Sequence, residues 1–210
     1  MRKVLLVDDH QVVRAGLKSI LLEQGMGSEF GEATTAVEAL KLAAEQAWDL
    51  AVVDISLLGR SGLEVVRELK RLRPQMPVLV LSMHSEEQYA RRAFKAGAAG
   101  YITKDCSRAD LAGAMAKVIS GGRYVSPALA ERLVVDFEQS PDRPLHQALS
   151  DREFEVMCLL GSGRTVGQIA ELLSLSDKTI STYRARILEK MRFETTVDVV
   201  RYVIENKLTE

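Results

Sequence analysis

Three short apolar runs constrain the fold of the first half of this chain more than any other feature. They lie at 4–7, 50–53 and 78–81 and read Val-Leu-Leu-Val, Leu-Ala-Val-Val and Val-Leu-Val-Leu. Runs without polar alternation are typical of strands that are buried on both faces of a parallel sheet. Helical patterns separate the runs, so the sequence predicts repeated strand-helix units.

Two weaker strand signals, at 29–33 and 100–103, complete the predicted sheet. The helices predicted between and after the strands cover about 11–23, 35–45, 61–73, 86–96 and 107–120. The third helix ends before Pro74, because a residue that precedes proline disfavours the helical conformation. The sequence therefore predicts an α/β fold with a doubly wound, five-stranded parallel sheet.

The second half of the chain shows helical patterns and no convincing strand. A short helix is predicted at 127–136 with Pro127 in its first turn, and the polar segment 138–144 holds two of the five prolines, as a linker does. Four more helices are predicted at about 151–162, 165–173, 177–191 and 195–206. We expect a first domain at 1–122, a linker with a short helix at 123–146, and a smaller all-α domain at 147–210.

Charge and cysteine content narrow the class of protein. The chain has 28 basic and 29 acidic residues, so any contact with DNA must come from a local basic patch rather than from net charge. Cys106 and Cys158 lack the spacing of a metal site and indicate a reduced, cytoplasmic setting. The apolar run near the N-terminus is too short for a signal peptide or a membrane span, and we expect no membrane partner.

Polar side chains gather where the predicted strands end. Asp8, Asp9 and Asp54 come just after buried strands, Ser82 ends another strand, and Lys104 follows the last one. The carboxyl ends of parallel strands share one edge of a doubly wound sheet, so these groups should meet there. Three neighbouring carboxylates repel one another and need a cation, and oxygen ligands favour Mg²⁺.

This combination of groups suits phosphoryl transfer to the protein itself. The carboxylate of Asp54 could attack phosphorus and form an aspartyl-phosphate, while Lys104 and Ser82 contact the phosphoryl oxygens. Each residue alone has an ordinary structural explanation as a turn, cap or loop residue; their joint placement favours the site. A magnesium-dependent phosphatase would need a second acid two residues after the nucleophile, where Ser56 stands, so we do not expect an enzyme.

Residues 1–122 resemble a response-regulator receiver domain, which has a flavodoxin-like fold. The resemblance is carried by the run 97–101 (Gly-Ala-Ala-Gly-Tyr) and by the following residues: Asp8, Asp9, Asp54, Ser82, Tyr101 and Lys104. It implies that Asp54 accepts the phosphoryl group. It also implies that Asp9, Asp54 and the backbone carbonyl of Ser56 bind Mg²⁺, with Asp8 acting through water. Ser82 and Tyr101 would form the switch pair, in which the hydroxyl moves toward the phosphate and the ring turns inward.

Two positions depart from the receiver pattern. Leu58-Gly59 stands where the family often has Pro-Gly, and Asp105 stands where many receivers have a proline after the lysine. That proline commonly follows a cis peptide bond, so the second departure leaves the geometry of the Lys104 loop open. The resemblance also implies that Ser56 and His84, two residues beyond Asp54 and Ser82, flank the phosphoryl group, at positions that tune dephosphorylation in the family, so we expect that changing them alters the lifetime of the aspartyl-phosphate.

The C-terminal helices predict a DNA-binding unit. Ser150 and Glu153 form a capping box at a helix start, and the helices at 165–173 and 177–191 are joined by a short turn, as in a helix-turn-helix. In the second helix, Ile180, Ile187 and Met191, with Tyr183 or Arg184, should face the core. Residues 178–192 carry a local net charge of +4, which suits DNA phosphates but is also compatible with a solvated helix face.

Residues 149–206 resemble the LuxR-type domain of the NarL/FixJ family. The matching segments are 149–153, 169–173, 175–180 and 187–191. The resemblance makes 177–191 the recognition helix. It implies that Lys178, Thr179, Ser181, Thr182 and Arg186 contact DNA. Arg184 and Lys190 would contact phosphates. Many relatives have His where Tyr183 stands, so the role of this residue stays open.

The last helix has two alternative roles. It would dimerise through apolar residues such as Val199, Val200 and Val203, or it would only pack on its own domain. Taken together, the two resemblances imply a transcription regulator that a sensor histidine kinase phosphorylates on Asp54. A homodimer would then bind paired half-sites in double-stranded promoter DNA. The alternatives are a regulator that binds DNA without phosphorylation and a receiver that serves only as a protein-interaction module.

Overall fold

The computed structural model describes residues 2–57, 60–131 and 144–208. The chain divides into two compact units, Met1–Val135 and Asp136–Glu210, and the division falls inside the segment predicted as a linker.

The first unit alternates strands and helices, as its apolar runs predict. The strands are β1 (Lys3–Val7), β2 (Glu29–Ala33), β3 (Leu50–Asp54), β4 (Val78–Ser82) and β5 (Gly100–Thr103). The helices are α1 (Gln11–Glu23), α2 (Ala36–Glu45), α3 (Gly62–Leu72), α4 (Glu86–Ala96) and α5 (Arg108–Ile119). Three predicted helix starts, at Thr35, Ser61 and Ser107, are N-caps whose side chains accept a backbone N–H of the first turn.

The sheet is fully parallel, with strand order β2-β1-β3-β4-β5. This confirms the predicted doubly wound, five-stranded α/β fold. Every residue of β3 and β4 is buried, which explains why their sequences lack polar alternation. The order reverses between β1 and β3, and in sheets of this kind ligands bind outside the carboxyl ends of the strands at that point.

The core on one face of the sheet is formed with helices α1 and α5. Leu17 and Leu21 of α1 pack with Met115 and Val118 of α5 in the same apolar cluster as the central strands. Helices α2, α3 and α4 contact one another in sequence order. Burial of this apolar surface fixes the strands, and with them the side chains at their ends.

A short segment after α5 runs beside the sheet and begins a further helix, α6. Tyr124 forms a parallel bridge with Gly100, and residues 127–131 are helical as far as the description reaches. The rest of the helix predicted at 127–136, and the polar segment 138–144 except its last residue, lie outside the described residues.

The second unit is helical throughout its described part. It contains a 3-10 helix (Leu145–Ala148) and helices α7 (Asp151–Gly161), α8 (Val166–Leu173), α9 (Asp177–Met191) and α10 (Thr196–Glu205). Reciprocal capping boxes start α7, α8 and α10. The 3-10 helix is held to α10, because His146 Nδ1 lies 2.9 Å from the hydroxyl of Tyr202 and the His146 ring also packs near Phe154. Across the described residues, no helix combines the length and apolar character that crossing a membrane requires.

Among the glycines that the structure describes in the first unit, Gly62 has the least room for a side chain. A Cβ at this position would lie 1.9 Å from the carbonyl oxygen of Asp54 and 2.7 Å from Ile55 Cα, both of which are backbone atoms that cannot move away cheaply. The backbone N–H of Gly62 also donates to the Ile55 carbonyl at 2.8 Å. The start of α3 is therefore pressed against the end of β3, the strand that carries Asp54.

We expect Gly62→Ala to lower the free energy of unfolding by about 3 kcal/mol, because an added methyl group must displace backbone. The matched control is Gly113→Ala in α5, where a Cβ would meet nothing within 4 Å. This control should raise stability by about 0.5 kcal/mol, since alanine favours a helix interior over glycine. Urea denaturation of both variants measures the difference, and equal midpoints would contradict the close contact.

Candidate functional site: an acidic centre and a basic helix

The side chains predicted to meet at one sheet edge do so. Asp8 follows β1, Asp54 is the last residue of β3, Ser82 is the last of β4, and Lys104 follows β5. The strand register aligns these ends, since Asp54 pairs with Leu81, and Ser82 with Thr103. Four separate segments of the chain thus contribute to one site.

Lys104 connects the two buried carboxylates. Its Nζ lies 2.7 Å from Asp54 Oδ2 and 2.8 Å from Asp8 Oδ2, and both aspartates are only 2% exposed. Burial raises the pKa of Asp54 above its ordinary value, and the hydrogen bond and charge of Lys104 oppose that rise. Burial acts in the opposite direction on the Lys104 amine, but the hydrogen bonds to Asp54 and Asp8 outweigh it, so the pKa of Lys104 is raised.

Asp9 and His10 complete the cluster. One ligand atom from each of Asp8, Asp9, His10 and Asp54 lies within 4.8 Å of the others. The His10 Nδ1 is 2.8 Å from Asp9 Oδ1, although two-thirds of the His10 side chain is exposed. His10 was not predicted as a site residue, although it directly follows Asp8-Asp9 in the sequence.

The donor set fits a divalent cation. Asp8 Oδ2 and Asp9 Oδ1 are buried, and among the described residues each has one polar partner at ion-pair distance, Lys104 Nζ at 2.8 Å and His10 Nδ1 at 2.8 Å, respectively. Carboxylate oxygens with free lone pairs are the ligands that Mg²⁺ prefers. Ser56, whose carbonyl is a predicted ligand, lies beside them, and its backbone N–H donates to Asp54 Oδ1 at 3.2 Å.

The predicted switch residues are both fully buried. The Ser82 hydroxyl accepts a hydrogen bond from the backbone N–H of His84 at 3.1 Å, and the Tyr101 hydroxyl donates to the His84 carbonyl at 2.7 Å. Tyr101 is 0% exposed, so the ring already has the inward position that the resemblance associates with switching. His84 Nε2 also lies 3.3 Å from the Ser56 hydroxyl, which links the two residues predicted to flank the phosphoryl group.

The structure describes one of the two positions that depart from the receiver pattern, namely Asp105. Asp105 follows Lys104 without a cis peptide bond, as none is found in the described chain, and the Lys104 amine still reaches both aspartates. The missing proline therefore does not displace the reacting groups. Leu58 and Gly59, the other departure, lie outside the described residues.

Arg14 is a further residue that the sequence analysis missed. Its guanidinium donates to the backbone carbonyl of Asp8 at 2.6 Å and pairs with Glu32 at 2.8 Å. Arg14 is buried on an otherwise amphipathic helix, so it fixes the β1–α1 turn that carries the acidic pair. An arginine at a helical core position was the signal, although spacing alone does not identify its partner.

In the second unit, α8 and α9 form the predicted helix-turn-helix. Ser174 ends α8 in the left-handed conformation, and Ser176 caps α9 by accepting the Thr179 N–H at 3.1 Å. Ile180, Ile187 and Met191 are buried as predicted. Of the two residues left open, Tyr183 is half-buried and Arg184 is exposed, so Tyr183 faces the core side.

The outer face of α9 carries the residues predicted to contact DNA. Lys178, Thr182, Arg184, Arg186 and Lys190 are exposed, and Thr179 and Ser181 are half-buried. Lys178, Arg184 and Arg186 form no ion pair with another described residue, so their charges are available to a ligand. Lys190 differs, because its Nζ lies 2.6 Å from the buried Glu153 Oε2 at the start of α7.

Helix α10 packs on its own domain through part of its apolar surface. Val199 and Val203 are 0% exposed, and a Cβ on Gly161 of α7 would lie 2.3 Å from Val203. These two valines belong to the core of the unit, which is the second of the alternatives predicted for them. Val197 and Ile204 remain largely exposed and were not among the predicted dimer residues.

Comparison with known proteins identifies both units independently. The family model described as "Response regulator receiver domain" matches residues 4–116. The family model described as "Bacterial regulatory proteins, luxR family" matches residues 147–203. The two matches together span most of the chain and fall on the acidic centre and the basic helix, respectively.

Relatives match over the full chain. The response regulator GacA of Pseudomonas aeruginosa is 34% identical, with 100% of this chain and 99% of that protein covered. The response regulator UvrY of Escherichia coli K12 is 32% identical, with 99% and 96% covered. Among solved structures, RcsB of Salmonella enterica serovar Typhimurium, bound to the promoter rprA, matches with a TM-score of 0.65, 23% identity, and 96% and 97% coverage, which supports the fold.

The Lys190–Glu153 ion pair makes a prediction about stability and pH. Hydrogen bonds from Lys190 and Ser150 hold the pKa of Glu153 below its ordinary 4.5 despite the opposing effect of burial. Such a carboxylate stabilises the fold fully above its unfolded pKa, and the contribution is lost as the pH falls through the folded value. We expect Lys190→Met to cost about 1–2 kcal/mol at neutral pH, because it leaves a buried carboxylate without its cation.

Chemical denaturation followed by circular dichroism at several pH values measures this cost. The difference between Lys190→Met and the wild type should shrink below about pH 4.5 as Glu153 becomes protonated in both. Lys178→Met is the matched control, since it removes an exposed lysine from the same helix without breaking an ion pair to a described residue. A loss of stability that is equal in both variants, or constant with pH, would rule out the ion pair as its cause.

Proposed function

The chain belongs to the NarL/FixJ family of response regulators, which join a receiver domain to a LuxR-type DNA-binding domain, and from this premise we propose that Asp54 is its phosphoacceptor and α9 its DNA-reading helix. The observation that carries the proposal is the buried group of Asp8, Asp54 and Lys104 at one sheet edge. Lys104 already contacts the Asp54 carboxylate. It is therefore placed to contact the oxygens of a phosphoryl group attached to that carboxylate.

We propose that Asp9, Asp54 and the Ser56 carbonyl hold Mg²⁺, with Asp8 supporting it through water. The ion supplies positive charge that offsets the repulsion between the acceptor carboxylate and an incoming phosphoryl group. The possible ligand atoms of Asp8, Asp9 and Asp54, which lie within 4.8 Å of one another, support this assignment. His10 lies against the same carboxylates and would adjust when they turn toward the ion.

The phosphoryl donor proposed for this chain is a phosphohistidine of a sensor histidine kinase. An Asp54 carboxylate oxygen forms a bond to phosphorus, and the bond from phosphorus to the imidazole nitrogen breaks, so that the imidazole keeps the electron pair. Lys104 then balances the added negative charge, and the Ser82 hydroxyl, now held by the His84 N–H, would donate to a phosphoryl oxygen. The protein is both acceptor and product, so turnover of a separate substrate is no part of the proposal.

DNA binding is assigned to the outer face of α9. The free cations Lys178, Arg184 and Arg186 suit phosphates and guanine edges, and Thr179, Ser181 and Thr182 are small enough to approach bases. Lys190 was predicted as a phosphate contact, but its ion pair with Glu153 gives it a structural role in the free protein. We therefore expect the first half of the helix to carry most of the affinity.

The proposed active species is a homodimer that binds two half-sites. Val199 and Val203 are occupied inside the domain, so the face of α10 left for a second copy contains Val197, Val200 and Ile204. These residues recur at helical spacing and lie on one side of α10. Two alternatives remain testable: DNA binding that does not depend on phosphorylation, and a receiver that acts only in protein-protein contact.

We expect Asp54→Asn to abolish uptake of a phosphoryl group from a small acyl-phosphate donor in the presence of magnesium, because an amide oxygen is not a nucleophile of comparable strength. Asp49→Asn is the matched control: it makes the same chemical change just before the opposite end of β3 and should leave uptake unchanged. Phosphate-affinity electrophoresis and intact mass report the product. Equal labelling of Asp54→Asn and wild type would overturn the acceptor assignment.

We expect Lys178→Ala and Arg184→Ala each to weaken binding to a promoter duplex recovered by genomic footprinting about five- to tenfold, because each removes a contact made by a free cation. A phosphate contact also lowers the slope of log affinity against log salt by about one. Lys41→Ala, an exposed lysine of α2, serves as control and should bind as wild type does.

Anisotropy titrations with and without the acyl-phosphate donor separate the alternatives. Tighter binding on phosphorylation supports the switch. Equal binding in both conditions favours regulation without phosphorylation, and no binding in either condition favours the interaction module.

A further inference from the structure

The residue that caps α6 is bonded to the receiver domain's fourth helix. The Ser126 hydroxyl donates to Glu86 Oε2, and the same Ser126 oxygen accepts the backbone N–H of Leu129 at 3.1 Å. Glu86 is the first residue of α4, and Ser126 stands just before the helical residues 127–131. One hydroxyl thus joins the start of the segment leading to the second domain to the start of α4.

Two further contacts hold this segment against the first unit. The Tyr124 N–H donates to the Ala99 carbonyl at 2.9 Å, and Tyr124 bridges Gly100 at the beginning of β5. A Cβ on Gly100 would lie 3.1 Å from the Tyr124 Cβ, so the two strands of chain approach closely. Leu129, in the helical residues that follow, is buried as well, at 7% exposed. The segment from Tyr124 to Ser126 is thus attached to the first unit at two places. Tyr124 contacts the start of β5, and Ser126 contacts Glu86 at the start of α4.

The loop 83–85, which joins β4 to α4, connects Glu86 to the switch residues. Its residue His84 is held from both sides, since its N–H donates to the Ser82 hydroxyl and its carbonyl accepts from Tyr101. Ser85 occupies the N-cap position of α4 but makes no side-chain capping bond. A missing cap weakens a helix start by about 1 kcal/mol, so the first turn of α4 is easier to move than that of a capped helix.

We propose that Glu86 and Ser126 form a latch that fastens α6 to the start of α4, and that phosphorylation of Asp54 opens it. The opening step rests on the proposed function of Asp54, whereas the fastening does not. The latch is closed while Ser82 is bonded to the His84 N–H. When the Ser82 hydroxyl turns toward a phosphoryl group on Asp54, His84 loses that acceptor, the loop 83–85 shifts, and Glu86 moves away from Ser126.

The environment of Glu86 makes the bond sensitive to such a shift. Glu86 is half-buried, and burial together with the nearby charge of Asp105 raises the pKa of its carboxyl, while the Ser126 hydroxyl acts against this rise. The carboxylate is partly screened from water, so loss of the Ser126 hydroxyl costs more than it would at a fully exposed site. Asp105 stands where many receivers have proline. Its effect on the pKa of Glu86 is therefore absent from receivers that keep the proline.

Hydrogen exchange followed by mass spectrometry on the full chain tests the latch. The amides of Leu129 and Ala130, which donate to the Ser126 side chain and carbonyl, report on the first turn of α6. Glu86→Ala should speed their exchange about tenfold without any donor, because Ser126 loses its fastening to α4. Glu86→Gln, whose amide oxygen can still accept the Ser126 hydroxyl, is the matched control and should exchange as the wild type does.

The phosphorylated protein provides the second half of the test. Wild type treated with an acyl-phosphate donor and magnesium should show the same acceleration in molecules whose mass confirms the modification, and phosphorylated Glu86→Ala should show no further increase. Unchanged exchange in peptides from β1 and β3 verifies that each variant is folded.

Equal exchange of α6 in Glu86→Ala, Glu86→Gln and wild type would show that no latch exists. Modified wild type with unchanged α6 exchange would overturn the opening step alone. Protein that takes up no phosphoryl group would overturn the proposed function and the opening step together, and the comparison of Glu86→Ala with Glu86→Gln would still decide the fastening.

Discussion

Two aspartates buried at the edge of a parallel sheet must be neutralised, and the receiver domain is organised around that requirement. An unpaired buried carboxylate is costly, so Asp8 and Asp54 depend on the amine of Lys104, which lies within 2.8 Å of both. Because the three residues come from three strand ends, the ion pairs form only when β1, β3 and β5 are in their native places.

Close contacts to backbone atoms hold the residues of this acidic centre in place. Gly62 allows α3 to start against the carbonyl of Asp54, and Arg14 holds the carbonyl of Asp8. Ser82 and Tyr101 each bond to one backbone group of His84. A change in charge at Asp54 would therefore act on a closely packed network of hydrogen bonds.

Much of this arrangement could be predicted from the sequence, since it depends on periodicity. Unbroken apolar runs located the strands, and strand ends located Asp54, Ser82 and Lys104 at one edge. Contacts between distant side chains had no such signal. Lys190 and Glu153 lie 37 residues apart, and an exposed basic helix looks the same whether its lysine is free or paired. Val199 and Val203 were ambiguous because a valine that faces its own core and one that faces a partner have the same spacing along a helix.

The hydrogen bond between His146 and Tyr202 has a mechanical consequence for the second domain. The chain enters this domain through the 3-10 helix, and the bond joins that entrance to the last helix, close to Phe154 in the core. Tension on the entering chain would then act on α10 as well as on the 3-10 helix. A domain tied in this way would move as one body when the chain that enters it is pulled.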